Sequence, residues 1–177
     1  MCSIFRQLMA LGIKVYAPRR LAREYGRYVL RPRERQLPLP CLVENMAFKM
    51  GRSIHPSALV EWLETLDRGR VELIVAPDAL REPGETLRLH RIFLECAREW
   101  MVERALAVVQ EFNLSRVMDY VGELIDMGFT RVAIPSDNLS ALKLIPKLRD
   151  TFEWVHVLGA QNIVEEVMLA DSIDFYC

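Results

Sequence analysis

The chain has 177 residues, a length suited to one domain with a sizeable core, and 51% of them are hydrophobic, which excludes a disordered chain. Its net charge is −1, and no run approaches the ~18–20 apolar residues that cross a bilayer. Without a membrane span or the apolar core of a secretion signal, a cytoplasmic location with no membrane partner is expected.

The net charge hides a gradient. Residues 1–35 carry Arg6, Lys14, Arg19, Arg20, Arg23, Arg27, Arg31, Arg33 and Arg35 against Glu24 and Glu34, whereas beyond Arg149 acidic residues accumulate. A basic head and an acidic tail suit either a polyanion-facing surface or contact between subunits, that is, a homo-oligomer.

In chain order, one pattern comes three times: a helix, a glycine stop, an apolar strand and a proline. It is seen in Leu8–Pro18, Leu63–Pro77 and Leu124–Pro135. Glycine takes the left-handed position that ends a helix, and proline closes the strand ladder. Residues 31–40 hold three of the nine prolines and read as an extended connector. Pro56-Ser57 opens a helix through Asp67, with Leu59, Trp62, Leu63 and Leu66 on one face. A second helix starts near Thr86 and buries Leu89, Phe93, Cys96 and Trp100. Leu106–Phe112 suits either a continuation of that helix or a strand. Further on, a helix is expected over Val117–Met127, a strand over Arg131–Ile134, and capping side chains at Ser136-Asp137-Asn138. A strand over Trp154–Leu158 and a helix over Ile163–Ala170 complete an α/β chain with a mixed sheet.

Chemical motifs are sparse. Cys2, Cys41, Cys96 and Cys177 are scattered, as are His55, His90 and His156, so neither a metal site nor a cofactor is expected. No G-x-x-x-x-G-K-[ST] pattern exists to cradle phosphate. Ser57 follows His55 at a helix start, but nothing in the sequence identifies a base held by a third group; it reads as an ordinary first-turn serine. Glu61, Glu64, Glu95 and Glu99 interleave with Arg68, Arg91 and Arg98, the mark of a solvated helix face. Seven arginines, Arg19, Arg20, Arg23, Arg27, Arg31, Arg33 and Arg35, surround Tyr25 and Tyr28 and form the candidate nucleic-acid-binding set.

The segment 70–89, RVELIVAPDALREPGETLRL, resembles magnesium-chelatase-like proteins of the ComM/YifB type through Arg70, Ala76-Pro77, Leu80-Arg81, Gly84 and Leu89. LPLPCLVENMAFK, MGFTRVAIPSDNLSAL and WVHVLGAQNIVEEVML extend the resemblance over roughly residues 37–170. It implies a two-layer, Lon-protease-like, ribosomal-S5-type α/β fold (mixed α+β), with residues 1–36 as a basic N-terminal segment and 37–177 as the Lon-like core of a single domain. It makes Leu106–Phe112 a strand. The family's Gly-Ser-Ala is replaced here by Gly84-Glu85-Thr86, and no lysine lies between Lys49 and Lys143 to complete a serine–lysine dyad. The resemblance therefore implies a non-catalytic binding or assembly module, either DNA-binding or accessory to an AAA+ ATPase. The alternatives are a degenerate serine hydrolase using Ser57 or Ser53 and a purely structural oligomerising subunit.

Overall fold

The computed structural model describes residues 3–51, 53–160 and 168–174. Eight short strands carry the fold: β1 (Lys14–Tyr16), β2 (Tyr28–Leu30), β3 (Cys41–Val43), β4 (Val71–Val75), β5 (Ala105–Val108), β6 (Arg131–Pro135), β7 (Trp154–Leu158) and β8 (Ser172–Asp174). Around them lie α1 (Ser3–Ala10), α2 (Ala22–Tyr25), α3 (Ala47–Met50), α4 (Pro56–Leu63), α5 (Pro83–Cys96), α6 (Glu99–Val102), α7 (Leu114–Asp126), α8 (Leu139–Leu142) and α9 (Ile145–Thr151). Of these helices, none is long and apolar enough to cross a membrane.

Every strand pair is parallel, and the strands run β1-β8-β7-β6-β5-β4-β3-β2. The two end strands also meet. The Ala17 amide donates to the Arg27 carbonyl (3.3 Å), and the Ala17 carbonyl accepts from the Val29 amide (2.9 Å). The sheet is thereby closed into an eight-stranded parallel barrel, in which residues 31–40 join β2 to β3 without a helix. The expected α/β class is observed. The resemblance implies a mixed two-layer sheet; the described strands are instead all parallel. The basic N-terminal segment supplies β1 and β2 to this same sheet.

The repeated helix–glycine–strand pattern supplies three of the barrel's returns. After α1 and α7 the chain passes through Gly12 (φ 83°) and Gly128 (φ 89°). In each case the glycine amide bonds back three residues and the next amide back five: Gly12 to Met9 and Ile13 to Leu8, Gly128 to Ile125 and Phe129 to Leu124. This double bond pattern satisfies the last carbonyls of the helix and turns the chain straight into β1 or toward β6. Of the open segment Leu106–Phe112, Leu106–Val108 belong to strand β5 and residues 109–112 form the loop that follows it. The helix expected over Ile163–Ala170 falls mostly outside the described residues.

Closure gives the molecule two apolar cores. One lies between strands and helices and includes Val43, Ile74, Ala107, Val132 and Val157. The other fills the barrel with Tyr16, Val29, Leu42, Leu73, Val75, Leu106, Val108 and Ala133, and Trp154 and Leu158 pack against it. Alternate strand residues face alternate sides, so each strand feeds both cores.

The N-terminal end of the barrel is plugged by ions rather than by carbon. Glu72 accepts from the Tyr16 hydroxyl (2.6 Å) and Arg27 Nε (2.9 Å), with Lys14 Nζ at 3.8 Å. Lys14 also sits 4.8 Å from the centre of the Trp154 ring. Burial works against the Glu72 charge, but the Tyr16 hydroxyl and the two cations hold its pKa below the usual 4.5. A depressed carboxylate contributes stability above its unfolded pKa and loses it as pH falls through the folded one. Glu72→Gln is therefore expected to cost about 1–3 kcal/mol at neutral pH, and the deficit should close below pH 4.5, as read by urea unfolding at several pH values.

Candidate active site at the C-terminal mouth of the barrel

In a parallel barrel all strand ends of one sense open on one face, where the loops that follow them converge. A cavity of about 410 Å³ lies there. It is lined by residues at or after the ends of β3 (Glu44, Asn45), β4 (Val75, Asp78), β5 (Gln110), β6 (Pro135, Ser136, Asp137), β7 (Leu158, Gly159) and β8 (Asp174). Phe48 of α3 sits at the opening and is 79% exposed. This volume falls at the small end of the ~300–1,000 Å³ range of small-molecule sites.

Asp78 is the most constrained group in the cavity wall. Its Oδ1 accepts from Asn45 Nδ2 (2.6 Å) and its Oδ2 from Gln110 Nε2 (2.5 Å). Both amides are themselves fixed. Asn45 Nδ2 also donates to the Ala76 carbonyl (2.6 Å) and its Oδ1 accepts from the Ala47 amide (2.9 Å). Gln110 Oε1 accepts from the Arg81 amide (2.9 Å). Burial raises the Asp78 pKa to about 6, while the two amides favour its ionised form. A carboxylate oxygen has more than one acceptor direction, so Asp78 remains able to take a proton from a ligand.

Asp174 ends β8. Strands 4 and 8 are four steps apart in a ring of eight, so Asp174 and Asp78 stand on opposite walls. The Asp174 Oδ1 accepts from the Gly159 amide, which the left-handed backbone of Gly159 (φ 68°) turns toward it. Burial pushes the Asp174 pKa to about 8; nearby Glu44 adds to the rise, and Gly159 and Arg31 oppose it. At neutral pH Asp174 is thus mainly a proton donor and Asp78 mainly an acceptor. Glu44, itself buried, is held by Arg31 Nε at 2.9 Å.

Polar ties set the rim. Asn138 donates to the Val109 (2.9 Å) and Glu111 (3.0 Å) carbonyls and caps α8 through the Ala141 amide (3.1 Å). The Ser136 hydroxyl donates to the Gly159 carbonyl (3.0 Å). Arg81 ties three loops at once. Its amide holds Gln110, its guanidinium meets Asp137 (3.0 Å), and it lies 5.0 Å from the centre of the Phe112 ring. Arg81 is the third residue of the Ala79–Glu82 turn and has φ 59°, at a place such turns normally give to glycine or asparagine. Left-handed backbone costs a non-glycine residue roughly 1–2 kcal/mol. An exposed ion pair contributes about 0–1 kcal/mol, so the pair with Asp137 does not outweigh that cost.

The sequence-predicted arginines are distributed rather than gathered. Arg19 and Arg20 follow the C-terminal end of β1, and Arg31, Arg33 and Arg35 follow that of β2, on the pocket's side of the sheet. Arg23 lies on α2, exposed. Arg27 precedes β2 at the opposite end and is bound to Glu72. His55 Nδ1 lies 2.8 Å from Ser57 Oγ and accepts from the Ser57 amide, an exposed cap of α4. Neither Ser57 nor the buried Ser53 lines the cavity. The residues that do line it were missed from sequence, although a signal exists. In VEN, APD, VVQE, IPSDN and SID a polar group follows a buried apolar run directly.

No protein-family model matches this chain, and no curated protein matches it.

Asp174 gives a test of the site's electrostatics. Its folded pKa is raised, so the associated stability is complete below the unfolded value of 3.8 and is lost as pH rises through about 8. Asp174→Asn, which carries no charge, is expected to gain on the wild type across that window by up to about 1.4 kcal/mol per pH unit. Thermal melts from pH 4 to 9 measure it, and a constant difference would contradict the assignment.

Proposed function

We propose that this chain is an enzyme that cleaves or exchanges the N-glycosidic bond of a nucleoside or nucleotide by carboxylate acid–base chemistry. The observation that carries this reading is the pair Asp78 and Asp174, two buried carboxyls on opposite walls of one small cavity with different proton affinities. Paired carboxyls flanking a scissile bond, one protonated and one ionised, are the working parts of glycosidic chemistry. Asp174 gives its proton to the departing base as the carbon–nitrogen bond breaks. Asp78 takes the proton of the water or incoming base that attacks the sugar carbon.

The lining favours a flat, hydrogen-bonding ligand. Val75, Leu80, Pro135 and Leu158 give apolar walls, Phe48 stands at the mouth, and Asp78, Asp174 and the second amide proton of Gln110 provide an acceptor and donors. Arginines after β1 and β2 leave the sheet on the same face and suit phosphates. This keeps the nucleic-acid contact expected of Arg19, Arg20, Arg33 and Arg35, whereas Arg31 is committed to the buried Glu44. It is favoured over a non-catalytic Lon-like module, an AAA+ accessory or a structural subunit because those readings leave the costly buried carboxyls without a role. It is favoured over a serine hydrolase because Ser57 is engaged in a helix cap.

The test is release or exchange of base from nucleosides, nucleotides and DNA or RNA as a function of pH. A bell is expected, with limbs near 6 and near 8, since Asp78 must be ionised and Asp174 protonated. Asp78→Asn and Asp174→Asn should each lose about 10²–10⁴-fold in rate while remaining folded. Activity that survives both substitutions would refute the proposal.

A further inference from the structure

We propose that the Arg81 guanidinium is the anion-binding group of the mouth, resting on Asp137 until a phosphate of the bound nucleotide replaces that carboxylate. The inference rests on the nucleotide reading above and adds a subsite to it.

Three features together mark Arg81, the first of them, a left-handed backbone, shared with Arg33 (φ 72°) and Met46 (φ 71°). Its amide bond to Gln110 asks nothing of the side chain; glycine would make it with less backbone strain at φ 59°. The exposed pair with Asp137 and the place of the guanidinium on the Phe112 ring at most offset that strain, so the arginine adds no net stability to the turn. Strained backbone of this kind persists at ligand sites because the side chain is needed there. Second, the guanidinium stands exposed beside the cavity, outside its lining. It lies beside the Phe112 ring and touches Asp137, a residue of the cavity lining, while the adjacent Leu80 lines the same cavity. Third, the exchange is feasible here and not at Arg31. Arg31 neutralises Glu44, which is buried, so drawing it away would strand a buried charge. Asp137 is exposed and would simply be hydrated on release. A phosphate carries more charge than a carboxylate and offers the planar guanidinium two oxygens at once.

The experiment measures binding of the four common ribonucleosides and their monophosphates to wild type and to Arg81→Gly by calorimetry, with thermal melts alongside. A nucleoside should bind, and its monophosphate should bind about tenfold or more tightly, a gain of the size of one charge-assisted contact. Arg81→Gly should lose that advantage while keeping nucleoside affinity and melting at or above the wild-type temperature, since glycine accepts the left-handed turn. Equal affinity for nucleoside and monophosphate, or an advantage that survives in Arg81→Gly, would overturn the anion subsite and leave the nucleoside reading standing. A melting temperature several degrees lower in Arg81→Gly would make the side chain structural and also overturn it. No binding of any compound would remove both readings.

Discussion

Everything in this molecule depends on one residue's backbone. Ala17 bonds to both Arg27 and Val29 and joins the first strand to the second, which turns an eight-stranded ribbon into a ring. Without that closure β1 and β2 would be exposed edges, and the side chains on one face of the sheet would have no partners across a barrel. With it, Tyr16, Val29, Leu42, Leu73, Leu106 and Ala133 become an interior, and the strand ends on one side become the walls of a cup.

The two ends of that interior handle charge in opposite ways. At the N-terminal end the half-buried Glu72 sits beside Arg27, Lys14 and the Tyr16 hydroxyl, and its proton affinity falls. At the C-terminal end Asp78 is met by neutral amides and Asp174 by one backbone amide, and their affinities rise. The physics is the same, desolvation against compensation, with different partners. A fully paired carboxylate closes the barrel floor. Incompletely compensated carboxyls are unfavourable for stability and useful for proton transfer, and here they face the cavity.

Much of the local structure was legible in the sequence. Two of the three helix–glycine–strand–proline units, at Gly12 and Gly128, turn through left-handed glycine as expected; in the second the helix ends at Leu63 and Gly69 is not left-handed, although its strand and proline lie where expected. The α/β class followed from them. That every strand is parallel was not legible: β1, β2, β3 and β8 are three residues long, and their pairing is decided by closure over long range. The site was harder still. Glu44, Asp78, Gln110 and Asp174 are each ordinary in isolation and dozens of residues apart, and only the barrel brings them together. Within the segment 70–89 the cavity carboxylate is Asp78, which nothing local sets apart from Glu82 or Glu85. The arginine run was visible as composition, yet its members go to opposite ends of the barrel, as Arg27 and Arg31 show.

Two carboxyls on opposite walls of one cavity hold their protons differently at neutral pH. Carbon-detected NMR titration of the aspartate carboxyls, assigned with Asp78→Asn and Asp174→Asn, tests it directly. The account predicts midpoints near 6 for Asp78 and near 8 for Asp174. Both groups titrating near 3.8, the ordinary aspartate value, would contradict it.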